Sequence, residues 1–202
     1  DTRVNTVVSS SATSTRIDEF NAVTLHSVLA TDGPITVNAG GATRAKIVQS
    51  EADRDVNDIA ITTSAGDLTV EAITAGPSIA GTTDGDVTLR AAAASILDDG
   101  SDLTRITGDV VTLTATGNIG VDAGTGDIDT TANRLTVDST VAGTVFVDET
   151  DAVFVDRIKT ADGLISLVAG GTTTVVSEIT AGGVGRDITV RTTAGDIELT
   201  GT

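Results

Sequence analysis

The sequence of 202 residues contains no cysteine, methionine, tryptophan or tyrosine, and it has only three phenylalanines, one histidine and two prolines. The absence of cysteine excludes both a disulfide framework and a thiolate metal site. Large aromatic side chains supply much of the buried area of an ordinary core, so this chain must bury small aliphatic residues and threonine instead. These residue types favour a narrow interior lined by β-strands.

Basic residues are also scarce: 12 Lys and Arg stand against 29 Asp and Glu, which gives a net charge of −17. Nucleic acids and anionic membrane surfaces attract clusters of basic side chains, so neither is expected as a partner. The acidic residues are 23 Asp and only 6 Glu. Because Asp favours turns and Glu favours helices, this imbalance predicts strands joined by turns.

Long apolar runs are missing as well. No stretch of about 18 apolar residues occurs, so no membrane-inserted helix is predicted. The first residues lack the basic and then apolar pattern of a signal peptide, so none is expected in this segment. The repeat pattern described next runs to both termini, and we therefore expect the sequence to be a piece of a longer protein or a processed form.

A short unit recurs along the chain: a Gly-centred turn followed by a strand with apolar residues at alternate positions. Examples are "AGDLTVEA" (65–72), "DGDVTLRA" (84–91) and "AGDIELTG" (194–201). Alternation of this kind predicts half-buried β-strands. The residues predicted to form the turns are Gly33, Gly66, Asp67, Gly85, Asp86, Gly108, Asp109, Gly126, Asp127, Gly163, Gly195 and Asp196.

A second repeat is much longer. Residues 17–41 match residues 147–171 at a constant offset of 130, with ten of the 25 positions identical. Farther along, residues 58–70 match residues 187–199 at an offset of 129, with six of 13 identical. The chain is therefore predicted to hold one super-repeat in residues 1–130 and the start of a second in residues 131–202, both within one continuous solenoid.

Short units that cannot bury an apolar face alone become stable when they stack. Strand units spaced near 20 residues predict an all-β protein, a right-handed parallel β-helix of about ten coils. The alternative is a tandem array of β-sandwiches, but sandwich domains usually contain a buried aromatic residue. Only "AAAASIL" (91–97) suggests a helix, and the alternative for this segment is another coil edge made of small residues.

The strings "GDVVTLTATGNIG" (108–120) and "DGLISLVAGGTTTVVSEITAGG" (162–183) resemble the repeats of filamentous-haemagglutinin-type exoproteins. These are very large bacterial surface proteins whose passengers form right-handed parallel β-helices. The resemblance covers nearly the whole chain. It implies an extracellular or cell-surface location and a role in adhesion, cell contact or a surface fibre.

Few residues suggest catalysis. The single His26 has Asp156 as its counterpart in the second copy, so the repeat does not depend on it. The segment "DDGSDLTR" (98–105), with Arg105, is the best candidate for a polysaccharide-cleaving site, since some β-helix enzymes use clustered Asp residues, or Ca²⁺ with a basic residue, for that chemistry. The alternative is a solvated loop with Asx turns. Sugar sites usually also need aromatic platforms, which are nearly missing, so no enzyme is expected.

Calcium is the one cofactor that the sequence suggests. Stacked coils would bring acidic side chains of adjacent turns to about 5 Å, where an oxygen-seeking cation relieves their repulsion. The candidate ligands are Asp18, Glu19, Asp53, Asp55, Asp58, Asp148, Glu149 and Asp151. "GGVGRDITV" (182–190) also begins like a calcium-binding nonapeptide, although a Gly-rich corner is the simpler interpretation. Solvated carboxylates that keep the rod soluble are the alternative throughout.

The sequence thus favours a structural segment of a secreted rod or fibre, which associates end to end or with neighbouring repeats of a longer chain. The first alternative is an adhesin module that binds a cell-surface partner, for which Phe20, Phe146 and Phe154 are the only large anchors. Alternation suggests that Phe146 and Phe154 are core or cover residues. The second alternative is the polysaccharide-degrading enzyme.

Overall fold

A computed structural model describes residues 3–76, 84–122 and 124–201. This part of the chain contains strands and turns and no helix. The seventeen strands are β1 (Thr6–Ser11), β2 (Thr15–Glu19), β3 (Val23–Ala30), β4 (Ile35–Ala39), β5 (Thr43–Ser50), β6 (Ile59–Thr63), β7 (Leu68–Ala75), β8 (Val87–Ala91), β9 (Ile96–Asp98), β10 (Ile106–Ala115), β11 (Ile128–Ser139), β12 (Val145–Glu149), β13 (Val153–Thr160), β14 (Ile165–Ala169), β15 (Thr173–Ala181), β16 (Ile188–Thr192) and β17 (Ile197–Leu199).

Every pairing between described strands is parallel, and each strand pairs with its equivalent on the next turn. The fold is therefore a parallel β-solenoid, as predicted, with about eight turns. Tandem sandwiches are excluded, because sheets of that kind are antiparallel.

The predicted number of ten coils was too high. The spacing between paired residues is 18 between Thr6 and Thr24, and it reaches 33 where Ile73 pairs with Ile106. Loops inserted between the middle strands make those turns longer, so the same number of residues completes fewer turns.

The core is a set of aliphatic ladders that run along the axis. In one of them Leu68, Ile96, Ile119, Val145 and Ile165 pair in succession. All five are at most 1% exposed. Because strand side chains alternate, the residues between them face outward. The alternation predicted for "AGDLTVEA" (65–72) is confirmed: Leu68 and Val70 are buried, and Thr69 between them is partly exposed.

Corners between strands require glycine where the turns lie very close. A Cβ on Gly170 would lie 1.9 Å from the carbonyl oxygen of Thr150 on the preceding turn, closer than any real contact. Gly66 has a φ of +81°, which L-residues rarely adopt.

Of the two interpretations of residues 91–97, the helix was wrong and the coil edge of small residues is confirmed. Ala91 ends β8, a turn follows, and Ile96 begins β9. The small side chains serve the corner, since Ala91 is buried at 1% exposure and Ile96 belongs to the ladder described above.

The super-repeat does not return to the same face of the solenoid. Strands that pair in succession from turn to turn form a stack along the axis. The stack that begins with β2 continues through β4, β6 and β8, and then through residues 111–115 of β10 and 135–139 of β11. The repeat counterpart of β2 is β12, but β12 belongs to the neighbouring stack. That stack begins with residues 23–25 of β3 and continues through Ile96 and Ile119, on which β12 lies. One super-repeat therefore spans five full turns, from 15 to 135, and about one third of another.

Candidate functional site

Among the described residues, a cluster of three carboxylates lies at the loops that precede β10 and β11. Asp127 is the corner aspartate of a "GD" unit, and Asp129 lies two residues later on the same side of β11. Asp102 reaches them from the loop before β10. One carboxylate oxygen from each of these three residues lies within 4.8 Å of the others.

These three residues line a cleft of about 440 Å³ together with Asp148, Arg105 and Arg191. Asp129 and Asp148 are paired positions on adjacent turns, and Val168 and Arg191 continue the same row. The cleft thus follows the axis over several turns and is lined by four carboxylates and two guanidinium groups.

Most carboxylates of the cleft are partly buried and lie near one another, and both conditions disfavour their ionised form. Burial, reinforced by the negative charges of Asp127, Asp98, Asp148 and Asp102, raises the pKa of Asp129 to about 7. Burial also raises the pKa of Asp127. For Asp148 burial raises the pKa, while Arg105 and Arg191 oppose the rise. Chemically, such a cleft can hold a proton or accept a cation.

A second carboxylate of interest is fully buried. Glu149 accepts a hydrogen bond from the Thr130 hydroxyl at 2.7 Å and from the Ala132 backbone N–H at 3.1 and 3.2 Å. Burial is the main cause that raises the pKa of Glu149 to about 7, and these hydrogen bonds oppose the rise.

The repeat counterpart of Glu149 has the same role. Glu19, 4% exposed, accepts the backbone N–H of Val4 at 3.0 Å and that of Asn21 at 3.2 Å. The equivalent strand-end positions on other turns carry small residues such as Ala39, Ala91 and Ala115. A buried Glu at this position therefore occurs once in each super-repeat and accepts a backbone N–H of the preceding turn.

The acidic residues predicted to bind calcium are placed apart from one another. Asp148 faces the cleft, but Glu149, as the next residue on the strand, faces the interior. Asp18 lies outside and pairs with Arg16 at 2.8 Å. Asp151 is exposed beyond the end of β12.

Asp53, Asp55 and Asp58 lie in the loop before β6, all exposed. Asp58 accepts the Asp86 backbone N–H of the next turn at 3.0 Å, and Asp86 in turn accepts that of Val110 at 3.1 Å. Corner aspartates thus join consecutive turns.

The residues of segment 98–105 have two roles: some form hydrogen bonds within the loop, and others line the cleft. Asp98 accepts backbone N–H groups of Gly100 and Ser101, and Asp99 accepts the Thr104 hydroxyl. Asp102 and Arg105 face the cleft, and Arg105 donates to the Thr150 hydroxyl at 2.8 Å.

Sequence reasoning placed Asp127 only at a turn and did not single out Asp129. The Asp-x-Asp spacing in "GDID" (126–129) was the available signal, since it puts two carboxylates on one face of a strand.

The remaining candidates lie on the surface. "GGVGRDITV" contributes the corner between β15 and β16, where Arg186 pairs with Asp162 at 2.8 Å. His26 is exposed on β3. Phe154 was expected in the core or as a cover, but it is 49% exposed, with Arg134 6.0 Å from its ring centroid. Phe146 is partly buried, and Phe20 is 65% exposed.

Comparison with protein-family models, with curated proteins and with solved structures gives no match. Among the described residues, no helix is long and apolar enough to cross a membrane. The functional conclusion therefore depends on the chain's own geometry.

Proposed function

We propose that this chain is a structural segment of a secreted rod or fibre, in which stacked turns provide stiff length. The observation that supports the proposal is the unbroken series of parallel pairings through about eight turns, with aliphatic ladders inside. Each turn contacts chiefly its neighbours, so more turns of the same kind extend the rod without altering the existing core.

The extracellular location is part of the proposal. It is supported by the resemblance of the cysteine-free, Asp-rich repeats to those of large exoproteins. It is compatible with a net charge of −17, which keeps an exposed rod soluble and apart from anionic surfaces.

We also propose that the rod is not an enzyme. The acidic cleft is the only feature of the described chain that invites a polysaccharide-cleaving role, and it lacks an aromatic platform, since the sequence has neither Trp nor Tyr. Incubation of the purified chain with acidic and neutral polysaccharides should release no shortened products. Cleavage that disappears in Asp129→Asn would reverse this conclusion.

An adhesin role is the alternative that a specific observation favours. Phe20 is 65% exposed, and the Arg3 guanidinium lies 5.0 Å from its ring centroid. Exposed aromatic residues beside arginine are common in binding surfaces.

A direct comparison separates the two roles. Negative-stain microscopy of the purified chain should show uniform rods, and labelled chain should not bind cells or glycan arrays above the level of Phe20→Ala. Binding that Phe20→Ala removes, while the rods remain intact, would assign the adhesin role instead.

A further inference from the structure

The sequence contains four Asp–Gly peptide bonds, and the structure places one of them in a setting unlike the other three. The bonds are Asp32–Gly33, Asp84–Gly85, Asp99–Gly100 and Asp162–Gly163. An aspartate followed by glycine can close a cyclic succinimide, because glycine has no side chain to hinder attack by its own amide nitrogen on the carboxyl carbon. Water reopens the ring at either carbonyl and leaves aspartate or isoaspartate. The freedom of the backbone at each bond therefore decides where the reaction occurs.

Three of these bonds lie in corners that pack against the preceding turn. The backbone atom that an added Cβ would approach is 2.7 Å away at Gly33, 2.4 Å away at Gly85 and 2.0 Å away at Gly163. Isoaspartate lengthens the backbone by one methylene group, for which such close-packed corners have no room.

The aspartate side chains of these three bonds are also held in place. Asp32 pairs with Arg54 of the next turn at 3.4 Å, and Asp162 pairs with Arg186 at 2.8 Å. Asp84 is buried at 2% exposure. Each must leave these surroundings before it can turn toward the amide nitrogen that follows it.

The Asp99–Gly100 bond lies in the loop between β9 and β10. Gly100 is exposed, and no described atom lies within 4 Å of the position that an added Cβ would take. Its φ is +87°, a conformation that glycine adopts readily. The Asp99 carboxylate accepts the Thr104 hydroxyl hydrogen at 2.8 Å, which is a contact within the same loop. This bond can therefore rearrange without moving a neighbouring turn.

Asp98 is placed to take the proton that the amide must lose. Its Oδ2 atom accepts the Gly100 N–H at 2.6 Å and the Ser101 N–H at 3.1 Å. A carboxylate within hydrogen-bond distance of a reacting N–H can serve as its base. Burial raises the pKa of Asp98, which makes its carboxylate a better proton acceptor.

We propose that Asp99–Gly100 is a site of spontaneous modification, at which the folded protein forms a succinimide and then isoaspartate. The Gly100 nitrogen bonds to the Asp99 carboxyl carbon and passes its proton to Asp98. The carbon–hydroxyl bond of the protonated Asp99 side chain breaks, and the hydroxyl group leaves with that proton as water. One water molecule then opens the ring, so no oxidant or further reactant is needed. The product lengthens the loop that carries Asp102 and Arg105 to the cleft.

Incubation of the folded chain in heavy-oxygen water tests the proposal, because each cycle of ring closure and hydrolysis leaves heavy oxygen in the reacting residue. Peptide mapping by mass spectrometry locates this label, and an isoaspartyl methyltransferase measures the isomerised product. At about pH 5 the peptide with Asp99 should gain label about ten-fold faster, or more, than the other three Asp–Gly peptides, since a packed corner must first open locally. The rate at Asp99 should fall at about pH 8, where less of the carboxyl group is protonated. In urea all four peptides should gain label at similar rates.

Asp98→Asn tests the proton transfer, because an amide oxygen still accepts hydrogen bonds but is a much weaker base. Labelling at Asp99 should slow in the folded variant and stay unchanged in urea. Asp55→Asn, which removes an exposed carboxylate of another loop, is the matched control and should label like wild type. Circular dichroism establishes that both variants are folded.

Three results would overturn the inference. Folded chain in which Asp99 gains label no faster than the corner aspartates would remove the site. A preference for Asp99 that persists in urea would show that the fold does not select it. Labelling that Asp98→Asn leaves unchanged or accelerates would remove Asp98 as the proton acceptor.

Discussion

At the scale of single residues, the carboxylates of this solenoid have three kinds of interaction partner. Corner aspartates such as Asp58 and Asp86 accept backbone N–H groups of the next turn. Others pair with arginine on a neighbouring turn, as Asp138 does with Arg157. Glu19 and Glu149 are buried and satisfy backbone donors from inside. The acidic composition therefore contributes to the contacts between turns as well as to the surface charge.

Glu149→Ala should destabilise the fold, because it leaves the Ala132 N–H and the Thr130 hydroxyl without their acceptor in a buried site. A lost buried hydrogen bond of this kind costs about 1–3 kcal/mol. Urea unfolding should show that loss, and Glu149→Gln, which keeps one acceptor oxygen, should show less. The exposed Glu51→Ala serves as control and should change the free energy of unfolding little. Equal stability of Glu149→Ala and Glu51→Ala would contradict the role assigned to Glu149.

The stability of the protein should fall as the pH rises from about 4 to about 7. Asp129 has a pKa raised to about 7 in the fold against an ordinary value of 3.8, so the unfolded chain releases its proton first. The proton-linked stability is complete below the unfolded pKa and is lost as the pH passes the folded pKa. Glu149 changes stability in the same direction.

Asp129→Asn removes one of the crowded charges and should raise the melting temperature at pH 8 by about 3 °C, with little effect at pH 4. Asp55→Asn, an exposed carboxylate outside the cleft, is the control. A variant that melts below wild type at pH 8 would show that the Asp129 charge is stabilised by its surroundings rather than opposed by them.

Calcium was expected at eight acidic residues, of which only Asp148 lines the cleft, and the same pair of variants tests whether calcium binds there. A cation in the cleft would favour the ionised carboxylates, so calcium should raise the melting temperature at pH 8 relative to EDTA, and Asp129→Asn should lose that gain. Equal melting temperatures in calcium and EDTA would contradict a cation site at the cleft.

At the scale of strands and corners, the close approach of successive turns sets the strictest requirement. Gly170→Ala should destabilise the solenoid by several kcal/mol, because the new methyl group would lie 1.9 Å from the Thr150 carbonyl oxygen. Gly124→Ala is the matched control, since the nearest atom to its Cβ is 3.7 Å away. Thermal melting that places both variants at the same temperature would mean that the corner can open without cost.

The strands could be predicted from the sequence because apolar and polar residues alternate, as in Leu68, Thr69 and Val70, and this alternation indicates which side chains face inward. The parallel stacking followed from the spacing of equivalent units. The number of turns did not, because loops such as 51–58 and 98–105 add residues without adding strands.

The acidic cleft was predicted only in separate parts, since Asp102 lay in the candidate segment 98–105 and Asp148 was a candidate calcium ligand. Asp102, Asp127, Asp129 and Asp148 meet only after the loops before β10 and β11 fold against adjacent turns. Dense local clusters such as "DETD" looked more promising, but consecutive residues on a strand face opposite sides, which separates Asp148 from Glu149.

At the scale of the whole molecule, the super-repeat advances the solenoid by five and about one third turns. A feature that occurs once in each super-repeat, such as the buried Glu19 and Glu149, therefore moves to the neighbouring face in the next copy. In a longer array these features would wind around the rod, and no single face would carry all of them.

The central claim is that the chain provides length, and inserting one super-repeat tests it most directly. A second copy of residues 17–146 placed between Phe146 and Val147 preserves the repeat at both junctions, because Ile17 is the counterpart of Val147. Electron microscopy and small-angle scattering of the original chain and of the chain with the insertion should show one straight rod that is longer by about 26 Å in the second, at about 4.8 Å per turn. Two bodies joined by a hinge, or a rod no longer than the original, would contradict the account.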